Sequence, residues 1–143
     1  MQQSPARGPS PPVSPAESSL RILIVDDNRN IVESLKMLLD MRGNSTQAAY
    51  DGLEAVEVAE RFRPEVILLD LGLPKLDGYE TCKRIRQQPW GREMMVFAVT
   101  AHGHDEAVAK SQLSGFDMHL VKPVEPEILL TVLEVARAQR NAH

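Results

Sequence analysis

From residue 20 onward, short apolar runs alternate with longer amphipathic stretches. The clearest runs are Ile22-Leu23-Ile24-Val25, Val66-Ile67-Leu68-Leu69, Val96-Phe97-Ala98-Val99 and Met118-His119-Leu120-Val121. Runs without polar interruption suit strands covered on both faces, which predicts a mainly parallel sheet. Between them the apolar period changes to that of a helix. Ile31, Leu35, Leu38 and Leu39 predict a helix that Asp27 or Asn28 caps and Gly43 ends. Leu53, Val56, Ala59 and Phe62 mark a second helix between the Asp51-Gly52 turn and Pro64, and Tyr79, Cys82 and Ile85 mark a third that Asp77 caps. A thin apolar stripe predicts a fourth helix over 105–113, stopped by Gly115, and Leu129, Val132, Leu133 and Ala136 predict a last one begun near Pro126. Asn44 to Ala49 is a weaker strand whose low apolar content places it at an edge, whereas Val66 to Leu69 belongs at the centre.

The sum is (βα)5. Right-handed crossovers with helices on both faces make a doubly wound α/β domain, and the strand order 2-1-3-4-5 sets strands 1 and 3 side by side at the switch point. Each long apolar run ends in a polar residue: Asp26 and Asp27, Asp70, Thr100 and Lys122. Parallel strands bring those ends to one edge of the sheet, where open α/β sheets bind ligands. Crowded carboxylates repel, so the pocket must be neutralised by a cation, by Lys122 or by proton uptake. A site for Mg²⁺ and a phosphoryl group accounts best for that set. Helix capping and turn formation could explain any one of these residues alone, but not their convergence.

Composition narrows the class. The 143 residues have room for one domain with a real core, and no second folded domain fits. Residues 1–20 are rich in Pro and Ser and predict a disordered tail or linker, leaving the folded domain over 21–140. The net charge of -4, with no Lys/Arg-rich run, argues against direct nucleic-acid binding. Cys82 is the single cysteine, so neither an intramolecular disulfide nor a cysteine-rich zinc site can form, and its place on an apolar stripe makes it a core residue. No apolar stretch is long enough to cross a bilayer, and the N-terminus lacks the core of a signal peptide; the expected location is cytoplasmic, without membrane insertion. His102 and His104, without further soft ligands nearby, read as solvated loop residues.

Four motifs now carry a resemblance: Val25-Asp26-Asp27-Asn28, the loop Asp70-Leu71-Gly72-Leu73-Pro74-Lys75-Leu76-Asp77-Gly78, Val99-Thr100-Ala101, and Val121-Lys122-Pro123. Each is common alone, but the ordered set, spread from about Arg21 to Arg137, resembles a response-regulator receiver domain of two-component signalling, with its flavodoxin-like (βα)5 fold. The resemblance implies that Asp70 accepts a phosphoryl group from a histidine kinase or histidine phosphotransfer protein. It makes Asp26, Asp27, Asp70 and the backbone carbonyl of Gly72 the Mg²⁺ ligands, a hard oxygen set that suits the ion. It assigns Thr100 and Lys122 to the phosphoryl oxygens, pairs Lys122 with Asp70 at rest, and implies a cis Lys122-Pro123 bond. Phosphorylation is then expected to shift the surface formed by the fourth and fifth strands and the helices after them, which a downstream effector reads.

The departures are specific. Leu73 stands where the family commonly has Met, a tolerated apolar exchange. His119 occupies the aromatic switch position three before the lysine, where it reads either as a switch partner for Thr100 or as a hydrogen-bonded structural histidine. His102 and Gly72 fall where the family tunes access of water to the phosphoryl group. Expected forms are a free-standing regulator or the receiver of a hybrid histidine kinase. The competing classes are an aspartate-dependent phosphatase or phosphotransferase, which needs a second acid where Gly72 stands, and a phosphorylation-independent interaction module, whose pocket would lack members.

Overall fold

A computed structural model describes residues 19–101 and 115–141. Five parallel strands, β1 (Arg21–Val25), β2 (Ser45–Ala49), β3 (Val66–Asp70), β4 (Met95–Thr100) and β5 (Met118–Val121), form one sheet in the order β2-β1-β3-β4-β5. The described helices are α1 (Arg29–Met41), α2 (Gly52–Phe62), α3 (Gly78–Gln87) and α4 (Pro126–Asn141). The poorly apolar β2 lies at an edge and the continuous apolar β3 at the centre, as their compositions require. The predicted 105–113 helix, His102, His104 and the first 18 residues lie outside the described residues.

Alternation along the strands feeds two cores. Ile22, Ile24, Val66, Leu68, Phe97 and Val99 point to the side of α1 and α4, where they meet Val32, Leu39, Leu129 and Leu133. Leu23, Val25, Ile67, Leu69 and Val96 point the other way, onto Ala55, Val58, Cys82 and Ile85 of α2 and α3. Every residue of β3 is buried because it has a helix layer on both sides.

Two helices turn a different face inward from the one their spacing predicts. In α1 it is Val32 rather than Ile31 that is fully buried with Leu39. In α2 Leu53 is 46% exposed and the buried face consists of Gly52, Ala55, Val58 and Ala59. Small residues let α2 lie close to α3 and the sheet, and that close packing outweighs the burial of one leucine. Arg63, left-handed at φ 53°, ends α2 before Pro64. Asn28, Asp51 and Asp77 cap α1, α2 and α3 through their side-chain oxygens.

Below the sheet, Arg86 of α3 gathers backbone that leads into two strands. Its guanidinium donates to the carbonyls of Gly91 (3.0 Å), Met94 (2.5 Å) and Gly115 (2.9 Å) and to Asp117 Oδ2 (2.8 Å), which also accepts from Val96 N–H. A planar fork with several donors can meet this set, and a single ammonium cannot. Arg86→Met is therefore expected to lower the unfolding free energy by about 3 kcal/mol and Arg86→Lys by about 2 kcal/mol, measured by urea denaturation. An unchanged midpoint in both variants would contradict this role.

Candidate functional site

The site is built by the ends of the strands. Asp26 follows β1, where its N–H donates to Ala49 O of β2 (3.2 Å), extending the ladder and leaving its side chain at the carboxyl edge. Its Oδ1 accepts from Asn28 N–H at 2.9 Å while Asn28 caps α1, so the start of α1 and the orientation of Asp26 are set together. Asp70 ends β3, and its Oδ1 accepts from Gly72 N–H at 3.2 Å. Leu71 N–H donates to Val99 O (3.0 Å) and Gly78 N–H to Leu71 O (3.1 Å), which closes the loop after β3. A Cβ on Gly78 would stand 2.5 Å from Asp70 O, so only glycine lets α3 begin this close to the acid.

One carboxylate oxygen from each of Asp26, Asp27 and Asp70 lies within 4.8 Å of the others. Asp26 and Asp70 are buried and Asp27 is exposed. Lys122, entering from β5, places Nζ 2.9 Å from Asp26 Oδ2 and 3.4 Å from Asp70 Oδ1. The lysine thus bridges both buried acids and sits closer to Asp26, whereas the sequence reading paired it with Asp70.

Burial pushes the Asp70 carboxyl above its usual range, and the charge of Asp26 adds to the shift; the Gly72 N–H and Lys122 offset only part of it. For Lys122, burial works against the charged form but is outweighed by Asp26 and Asp70, and the ammonium is held more firmly than usual. The remaining negative charge and the all-oxygen donor set fit a small hard divalent cation; Cys82, the thiol a softer metal would need, is buried in the α2 and α3 core with its pKa raised by burial to about 11.

Thr100 lies at the end of β4 opposite Val121, and its carbonyl accepts from Lys122 N–H at 2.7 Å. The Lys122-Pro123 peptide is cis. His119 is half-buried on β5 opposite Ala98, and its Nε2 has no hydrogen-bond partner among the described residues. Thr100 and His119 thus stand on neighbouring strands, two residues apart in register. Beside Asp26 and Lys122, a cavity of about 480 Å³ with a mainly apolar lining that includes Ile31, Leu35 and Val124 opens between α1 and the start of α4. Sequence reasoning missed the backbone donors of Asn28 and Gly72, because every non-proline residue carries an N–H and no residue type signals where it will point.

Residues 22–134 match the model of the response regulator receiver domain. The response regulator MprA of Mycobacterium tuberculosis is 37% identical over 112 residues, which cover 78% of this chain and 48% of that protein. The DNA-binding dual master transcriptional regulator RpaA of Synechocystis is 36% identical over 77% of this chain and 46% of its own. The chain therefore spans about half the length of these curated relatives. Among solved structures, the chemotaxis protein CheY4 of Vibrio cholerae superposes with a TM-score of 0.79 at 30% identity, covering 82% of this chain and 98% of that one. The receiver domain of the sensor histidine kinase PA1611 of Pseudomonas aeruginosa, with a magnesium ion in its active site cleft, gives 0.78 at 32% identity, over 84% and 98%. With most of its length inside the family model and relatives above 30% identity, the chain belongs to the response regulator receiver domain family of two-component systems.

Proposed function

We propose that Asp70 is the phosphoacceptor of this receiver domain and takes its phosphoryl group from a phosphohistidine on a histidine kinase or phosphotransfer protein. The observation that carries this reading is the cluster of Asp26, Asp27 and Asp70, with Lys122 Nζ bridging the two buried members. In the transfer, a carboxylate oxygen of Asp70 forms a bond to phosphorus as the P–N bond breaks, and the departing imidazole keeps the electron pair and takes a proton from solvent. Gly72 N–H orients the attacking carboxylate through Oδ1. Lys122 neutralises charge on the arriving oxygens, and the Thr100 hydroxyl donates to one of them. Asp26, Asp27, Asp70 and the Gly72 carbonyl would hold Mg²⁺, as the donor chemistry and the likeness to the magnesium-containing PA1611 receiver support. When bound, the ion neutralises and aligns the phosphoryl oxygens.

The output is conformational. A phosphoryl group at Asp70 draws Lys122 and Thr100 toward it, and His119 Nε2 on the neighbouring strand, which has no partner among the described residues, engages when Thr100 moves. The surface of β4, β5 and α4 then changes for a downstream effector. With a net charge of -4, the domain meets proteins rather than nucleic acid; Leu20, expected in the tail, is fully buried in the core and belongs to the folded domain. Among the described residues no helix is long and apolar enough to cross a membrane. An aspartate phosphatase is disfavoured because Gly72 supplies no acid for a leaving group.

Intact-mass spectrometry after Mg²⁺ and acetyl phosphate is expected to show one added phosphoryl group on the wild type and none on Asp70→Asn. A folded wild type that gains nothing would overturn the assignment. The raised Asp70 pKa has a second consequence. Its ionised form weakens the fold, by a penalty that is absent below the ordinary carboxylate pKa and grows as the pH rises through the window up to the elevated folded-state value. Without Mg²⁺ at pH 7, Asp70→Asn should therefore melt about 3 °C above wild type by calorimetry, with the gap closing as the pH falls. Millimolar Mg²⁺ is expected to raise the wild-type midpoint and leave that of Asp70→Asn nearly unmoved.

A further inference from the structure

The loop between β3 and α3 carries Gly72 to the site, yet much of what holds it lies elsewhere. It rests on the first turn of α2. A Cβ built on Gly52 would collide with Leu76 O and Thr81 Oγ1 and would stand 2.7 Å from Leu76 Cβ. Around this contact the loop is fastened in three further ways. The Thr81 hydroxyl, fully buried, lies 3.2 Å from Leu76 O and 2.7 Å from Asp77 O, to which it can donate. Lys75 Nζ lies 3.5 Å from Asp51 Oδ2, the side chain that caps α2. Lys75 itself is held at φ 68°, a conformation that side-chain-bearing residues adopt only where their surroundings impose it.

We propose that Gly52 is a positioning residue for the phosphoacceptor site: its missing side chain lets the loop after β3 seat on α2, and that seat sets Gly72 against Asp70. The chain of contacts is continuous. Leu76 O against Gly52 fixes one end of the loop, Gly78 N–H to Leu71 O (3.1 Å) closes it, and Gly72 N–H then orients Asp70 Oδ1, which Lys122 also touches. Pushing Leu76 outward by the size of a methyl group must shift this short closed loop, because its other end is held to β4 by Leu71 N–H on Val99 O (3.0 Å). Gly52 touches neither the acids nor Lys122, so its effect passes only through the loop. In the sequence it reads as the second residue of an ordinary Asp-Gly turn.

This inference rests on the proposed Mg²⁺ and phosphoryl site, and the test separates the two. A matched control exists in Gly91, where an added Cβ would collide with Ile85 O at the far end of α3, away from the acids. Gly52→Ala, Gly91→Ala and the near-isosteric Thr81→Val are compared in the full chain, the last as a milder probe should Gly52→Ala not fold. Mg²⁺ is titrated against amide NMR shifts of the folded protein, and phosphoryl uptake from acetyl phosphate is followed by intact mass. The expected result is a Mg²⁺ half-saturation raised about 10-fold in Gly52→Ala and severalfold in Thr81→Val, as for other residues that orient metal ligands, with Gly91→Ala within about twofold of wild type despite comparable loss of stability. Equal Mg²⁺ affinities in all four proteins would overturn the positioning role and leave the phosphoacceptor assignment standing. Equal weakening in Gly52→Ala and Gly91→Ala would overturn it too, by showing a general effect of stability. A wild type that binds no Mg²⁺ would overturn both readings.

Discussion

Three carboxylates brought within 4.8 Å of one another are the constraint around which this domain is organised. Two of them are buried, and charges this close repel strongly in a partly desolvated setting. Lys122 relieves that repulsion for Asp26 and in part for Asp70, and the backbone N–H groups of Asn28 and Gly72 relieve it further. What remains is deliberate imbalance: Asp70 stays harder to ionise than an ordinary aspartate. A fold optimised only for stability would replace one of these acids. Their presence together is the mark of a site that expects a cation or a phosphoryl group to complete it.

Fold and site are linked through the strand order. Because β1 and β3 are neighbours while their crossovers leave to opposite faces, Asp26 and Asp70 emerge side by side in an open crevice. The same order puts β4 beside β3 and β5 beyond β4, so Lys122 reaches the acids from the other side of the crevice and Thr100 ends the strand between. Asp70 thereby stands beside β4, which carries Thr100, and is touched by Lys122 from the end of β5, which carries His119. The double core gives this arrangement its rigidity, since every residue of β3 is packed from both faces and Asp70 cannot drift.

The two levels of information divide along a physical line. Strand runs, their ends, the edge position of β2, the convergence of Asp26, Asp27, Asp70 and Lys122, and the place of Thr100 at the end of β4 were legible in the sequence. They depend on the local period of apolar residues and on one general rule of parallel topology. The inward face of α2 was not legible, because a leucine at helical spacing is a weaker determinant than the close approach that Gly52, Ala55 and Ala59 permit. Nor was the preference of Lys122 for Asp26, which depends on differences of half an ångström between two nearby carboxylates.

By itself, then, the sequence determined which residues have the chemistry to make a receiver site and which edge of which sheet they occupy. Residue type and hydrophobic period are properties of the chain, and they survive without coordinates. Only the tertiary structure decided how the charges are shared, which backbone N–H groups hold the acids, and why Arg86, Gly52 and Thr81 matter. Those are contacts between segments distant in sequence, where a guanidinium, a hydroxyl or an absent side chain acquires meaning only from what the fold sets against it.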